Sequence, residues 1–183
     1  MMRAVIQKRA KREIVHEGEF LRFIRQGEWE YVERSNCSAI AIILATTEND
    51  KVLFVEQYRV PVGRKVIELP AGLINDQGSK MKESIMSGAQ RELLEETGYK
   101  ANKMKKILEG PVSSGSSGDM VTVFWARDVR KVSKGGGDNL ESIIVHAVPI
   151  KTVDQWLKKM KLKGFLIEPK IYAGLYFLKT YNK

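Results

Sequence analysis

Hydrophobic positions in this chain fall mostly in short runs cut by polar or glycine-rich breaks. Phe20–Arg25 and Trp29–Arg34 flank Gln26-Gly27-Glu28, which predicts a β-hairpin. Ala39–Leu44 is a continuous apolar run, as expected of a strand buried on both faces. The polar turn Glu48-Asn49-Asp50 follows, and Val52–Arg59 reads as the partner strand. Leu69-Pro70-Ala71-Gly72 is expected to break regular structure. A helix is predicted from about Lys82 to Thr97, with Met86, Ala89 and Leu93 as its buried stripe and Gly98 at its C-cap. Ser113–Gly118 reads as a loop and Met120–Trp125 as a strand. Gly135-Gly136-Gly137 reads as a loop before the strand Ser142–Val148. Helical stretches, Val153–Met160 and Pro169–Thr180, close the sequence, and there is no internal repeat. Strands, one central helix, more strands and terminal helices predict an α+β, mixed-sheet sandwich.

Composition narrows the class. The 183 residues can bury a substantial core, and 43% hydrophobic with 29% charged residues fits a folded chain. No apolar run approaches the roughly 20 residues of a membrane span. The start, Met1–Arg9, lacks a secretory apolar region, and Cys37 is the sole cysteine. The expected setting is cytoplasmic. The formal net charge of +9 suits either polyanionic ligands or plain solubility. The lysine-rich stretch Lys158–Lys163 reads as the solvated face and end of a helix.

Chemistry enters with Glu92, Glu95 and Glu96, spaced i, i+3 and i+4. On a helix they share one face and repel one another. On spacing alone they are either a solvated acidic face or ligands for a hard divalent cation, Mg²⁺ or Mn²⁺. Their place near the helix C-terminus, the unfavourable end of the dipole for anions, gives a purely structural helix no advantage.

The run Arg91-Glu92-Leu93-Leu94-Glu95-Glu96-Thr97-Gly98-Tyr99, with Glu83 eight residues before Arg91 and Gly72 as opening glycine, resembles the Nudix box. Ten residues, Leu73 to Lys82, separate Gly72 from Glu83 where the family has five. The resemblance implies a Nudix α/β/α sandwich and Mg²⁺-dependent hydrolysis of a diphosphate, with Mn²⁺ as a substitute. It implies Glu92, Glu95, Glu96 and the Ala71 carbonyl as metal ligands. Arg91 would orient the carboxylates, with Glu83 as an orienting partner.

Beyond the box, Glu56-Gln57-Tyr58-Arg59, Ile67–Gly72 and Trp29–Arg34 resemble the ADP-ribose and nucleoside-diphosphate-sugar pyrophosphatase branch. That implies a small N-terminal antiparallel sheet (residues 1–36) exchanged within a homodimer, followed by the hydrolase domain (37–183). It implies phosphate or ribose binding by Arg34 and Arg59, with surface ion pairs as the plainer alternative, and base stacking by Trp29, with core packing as the alternative. Glu141 resembles the loop glutamate that acts as general base in that branch. Ser114 stands where ADP-ribose pyrophosphatases usually carry a proline, which favours a broader nucleoside-diphosphate-sugar range over ADP-ribose alone.

His146 in its apolar strand is expected to be a satisfied structural histidine, and His16 lacks metal-ligand spacing. Trp156, Tyr172, Tyr176 and Phe177 are expected to be helix packing. Gly135–Gly137 lacks the Gly-Lys-Ser/Thr of a phosphate-binding P-loop. The competing expectations are hydrolysis of RNA 5′ ends or dinucleoside polyphosphates, and a non-catalytic nucleotide-binding regulator. The expected partner is a small nucleotide rather than a membrane or nucleic acid.

Overall fold

The computed structural model describes residues 10–75, 83–137 and 142–181. Two sheets form. The first is antiparallel, β1 (Arg12–Glu17), β2 (Leu21–Gln26) and β3 (Trp29–Arg34), in that order. The expected hairpin is β2–β3, with Gln26 opposite Trp29.

The second sheet has nine strands: β4 (Ala39–Thr47), β5 (Lys51–Arg59), β6 (Arg64–Glu68), β7 (Ala71–Ile74), β8 (Tyr99–Lys100), β9 (Lys103–Pro111), β10 (Met120–Lys131), β11 (Ile144–Pro149) and β12 (Leu166–Ile167). It is mixed, because β10 runs parallel to β4 and β12 parallel to β6 while the other pairs are antiparallel. Among the described residues the α-helices are α1 (Ile85–Thr97), α2 (Val153–Leu162) and α3 (Lys170–Tyr181). The fold is therefore α+β, as the sequence predicts.

Alternation along β4 divides the core. Ile42 and Leu44 join a cluster with Leu157 of α2 and Ile171 and Leu175 of α3. Ala41, Ile43 and Ala45 join Ala89 and Leu93 of α1. Successive strand side chains point to opposite faces, so α1 covers one side of the sheet and α2 and α3 the other. The continuous apolar run at 39–44 follows from burial on both faces.

Four expectations need correction. The β5 strand is not a full partner of β4: they meet only at Thr46 and Val52, beyond which β4 pairs with β7 and β10 while β5 pairs with β6 and β11. The break at Leu69-Pro70 ends sooner than expected, because Ala71 and Gly72 already belong to β7. Met86 is 40% exposed and lies off the buried stripe of α1, which is carried by Ala89 and Leu93 with Gly88 between the helix and β7. Tyr172 and Tyr176 are exposed, whereas Trp156 stacks on Phe54 and Phe177 meets Trp125 edge-on.

Candidate active site

α1 begins at Ser84, whose hydroxyl accepts a hydrogen bond from the Ser87 N–H at 3.1 Å. It ends at Gly98 in the left-handed region, φ 74°, with its N–H bonded to the Leu94 carbonyl. A Cβ at Gly98 would lie 2.3 Å from the Ser133 carbonyl oxygen, so this cap also needs the missing side chain. The orphan carbonyls of the last turn are taken up by a glycine strap. Gly136 N–H donates to the Glu96 carbonyl at 2.8 Å and Gly137 N–H to that of Glu95 at 3.1 Å. Sequence inspection finds only a loop at Gly135–Gly137; the available signal was three adjacent glycines, all with positive φ here.

The strap fixes the turn that carries the glutamates. Glu96 is 4% exposed, and its Oε2 accepts the Ala71 N–H at 3.1 Å. Gly72 lies against Glu92: a Cβ there would be 2.0 Å from the Glu92 Cδ. The β7 backbone thus approaches the acidic face of α1 where a side chain would block it.

Arg91 organises the rest. Its Nη2 donates to Glu83 Oε1 at 2.8 Å and to the Leu73 carbonyl at 3.2 Å. Its Nη1 lies 2.8 Å from Glu95 Oε2 and 2.9 Å from Glu92 Oε1. The hydrogen bond that Arg91 donates holds the Glu83 carboxyl below the ordinary carboxylate range, and the same bond raises the guanidinium further above its own. Asn75 and Glu83 hold the two ends of the 76–82 segment together, through Glu83 N–H to Asn75 Oδ1 at 2.8 Å.

Three carboxylates, Glu83, Glu92 and Glu95, therefore face one guanidinium, while Glu96 is held by the Ala71 N–H. Among the described residues no three acidic, histidine or cysteine side chains converge as a ready-made ion cage. Arg91, bound to Glu83, Glu92 and Glu95, stands between them. The donor set nevertheless fits a hard divalent cation, being oxygen-only with an excess of negative charge. Glu92, Glu95, Glu96 and the Ala71 carbonyl are the groups available to hold it.

Two clefts flank the 113–119 loop. One, of about 460 Å³, brings together Trp29, Tyr31, Gln26 and the loop from Ser114 to Gly118. Trp29 is 52% exposed, so it is not a core residue. The second, of about 440 Å³, is lined by Arg34, Cys37, Ile85, Glu109, Gly118 and Asp119 among others. Asp119, unmarked by any motif, accepts the Arg34 backbone N–H at 2.9 Å. Val32 N–H donates to the Ser116 carbonyl and Gly118 N–H to that of Val32, so β3 is docked on this loop. Arg59 lines neither cleft; its Nε pairs with Glu68 Oε2 at 2.7 Å. Glu141 lies outside the described residues.

A family model described as the NUDIX domain matches residues 36–163, which run from just before β4 through α2. The chain belongs to the Nudix family. Among relatives, the "Methanol dehydrogenase activator" of Bacillus methanolicus is 30% identical over 68% of this chain and 64% of its own length. The "ADP-ribose pyrophosphatase" of Bacillus subtilis (strain 168) is 38% identical over 48% of this chain and 44% of its own. The "ADP-sugar pyrophosphatase" of Mus musculus is 31% identical over 79% of this chain and 67% of its own. The chain thus spans less than two thirds of the first two relatives. The last two carry names from the branch that the regions outside the box resemble. Members of the Nudix family generally use divalent metal ions. Among the described residues no helix is long and apolar enough to cross a membrane.

Proposed function

We propose that the protein hydrolyses the pyrophosphate bond of a nucleoside-diphosphate sugar such as ADP-ribose, releasing a nucleoside monophosphate and a sugar phosphate. The observation that carries this reading is the acidic face of α1, with Glu96 bonded to the Ala71 N–H and the Glu92 carboxylate against Gly72. Mg²⁺, or Mn²⁺ in its place, would be held by Glu92, Glu95, Glu96 and the Ala71 carbonyl, and when bound supplies neutralisation of phosphate charge and acidification of water.

The protein's own groups do the rest. Arg91 keeps Glu92 and Glu95 oriented and is itself held by Glu83. Trp29 offers an exposed aromatic face for the base, with Ser114 across the same cleft. Arg34 and Arg59 bind phosphate or ribose through forked donors, Arg59 exchanging part of its pairing with Glu68. Glu141 takes the proton of the attacking water. A water oxygen bonds to one phosphorus, the bridging P–O bond breaks, and the bridging oxygen departs with the other phosphate. Residues 1–36 form the unit that pairs two chains into a homodimer and contributes to the partner's substrate site.

The test is a product-release screen of ADP-ribose, other nucleotide sugars, dinucleoside polyphosphates and 5′-triphosphate RNA in Mg²⁺. Nucleoside monophosphate from the sugars at the highest kcat/KM is expected. Preferential turnover of RNA or dinucleoside polyphosphates would replace the reading, and no turnover of any of them would leave a binding module.

A further inference from the structure

On the α2 side of the sheet, opposite α1, lies a third cleft of about 480 Å³. It is walled by β11 from Val145 to Pro149, by Thr152, and by Gln155, Trp156 and Lys159 of α2. Nothing in the proposed reaction uses it. Beneath it is an organised set of charges. Glu56 on β5 is 6% exposed, accepts Lys65 Nζ at 2.8 Å and lies 3.0 Å from His146 Nε2. Burial opposes its ionisation, but the hydrogen bonds from Lys65 and His146 outweigh that and hold the carboxyl below its ordinary range. An ionised carboxylate only accepts, so His146 donates to it through Nε2–H, and its Nδ1 donates to an anion only in the doubly protonated imidazolium form. Trp156 is held as a platform: Phe54 covers one ring face at 5.3 Å and 16°, and His146 meets it at 5.1 Å. The rest of the indole contributes to the cleft wall beside Lys159, one turn further along α2.

We infer that this cleft is a second ligand site, taking a nucleoside monophosphate with its base against Trp156 and its phosphate toward Lys159 and His146. The lining supplies an aromatic surface, one exposed cation, an imidazole, and the Gln155 amide and Thr152 hydroxyl. The carboxylate beneath is already matched by Lys65, so it does not repel an anion. The volume of about 480 Å³ accommodates a mononucleotide, and an aromatic face stacks any base.

The experiment is calorimetric titration of the full chain with AMP, ribose 5-phosphate and inorganic phosphate. Two AMP sites per chain are expected for the wild type. Lys159→Glu, at an exposed position, should remove one site or weaken it at least tenfold and leave hydrolysis at low AMP unchanged. His146→Ala should do the same; circular dichroism and thermal unfolding verify that both variants are folded. Arg59→Ala should remove the other site and spare this one, so this inference stands or falls apart from the proposed reaction. Ribose 5-phosphate and phosphate should bind this site at least tenfold more weakly than AMP. No AMP site weakened by Lys159→Glu, or equal affinity for AMP and ribose 5-phosphate at this site, would overturn it, whereas a single site lost in Lys159→Glu and kept in Arg59→Ala would support it and count against the proposed reaction alone.

Discussion

Replacing Gly72 by alanine tests the junction between β7 and the acidic helix. The added Cβ would stand 2.0 Å from Glu92 Cδ, 2.2 Å from Oε2 and 2.3 Å from Cγ. Carbon contacts relax at about 3.5–4.0 Å, so the Glu92 carboxylate must retreat by roughly 1.5–2 Å. Glu92 is a side chain of several torsions, so most of the strain is released by its rotation, and the cost in stability should stay near the low end of the roughly 1–3 kcal/mol typical of overpacking. The cost in catalysis should be larger, because a misplacement of about 1 Å can cost ~100-fold, or about 2.7 kcal/mol of activation free energy. Steady-state product release at saturating Mg²⁺ and thermal unfolding measure the two effects separately. A double-mutant cycle with Glu92→Ala identifies the route. If Gly72→Ala acts by moving that carboxylate, it adds little once the side chain is gone. Wild-type turnover in Gly72→Ala, or full additivity with Glu92→Ala, would refute the argument.

Arg91→Ala should lower kcat by about 10–100-fold, and Arg91→Lys should restore little of it, since one ammonium cannot serve Glu83, Glu92 and Glu95 through a planar fork; steady-state kinetics decide. Glu56 gives a pH prediction. Its folded value lies below the unfolded one, so its contribution is present above the unfolded value near 4.5 and is lost as pH falls through the folded value. Glu56→Gln should therefore flatten the acid limb of unfolding free energy measured by denaturant titration, and an unchanged slope would contradict the pairing. Gly98→Ala should lower stability by roughly 1–3 kcal/mol, read from the denaturation midpoint, because it both forces a positive φ and meets the Ser133 carbonyl. Trp29→Ala should raise KM with little change in kcat, and Trp29→Phe should recover most of it, if the exposed ring binds the base.

How much of this the sequence disclosed depends on how local the signals are. The run at 39–44 identifies β4 because burial on both faces leaves no alternation to obscure it. Gly98 reveals the end of α1 because its cap requires a left-handed residue. β9 was illegible: Ile107 is an extra residue opposite the step from Val123 to Phe124, and this bulge in a lysine-rich strand destroys the period of two. Met86 misleads because the 3.6-residue pattern places it near the buried stripe, whereas it is 40% exposed. The spacing of Glu92, Glu95 and Glu96 gives their common face, but Ala71 bonded to Glu96 and Gly72 against Glu92 depend on how β7 crosses the helix. The roles of Asp119, whose carboxylate accepts the Arg34 backbone N–H, and of the glycine strap, whose N–H groups donate to the Glu95 and Glu96 carbonyls, rest on hydrogen bonds between distant segments, which leave no pattern in the chain.

The central claim is tested most directly by incubating the wild type and Glu96→Gln in parallel with ADP-ribose and Mg²⁺ and quantifying both products. The account predicts AMP and ribose 5-phosphate in equal amounts from the wild type. It predicts a rate at least ~100-fold lower for Glu96→Gln, with nucleotide affinity preserved. An undiminished rate in Glu96→Gln, or no nucleoside monophosphate from ADP-ribose or any other nucleoside-diphosphate sugar, would contradict it.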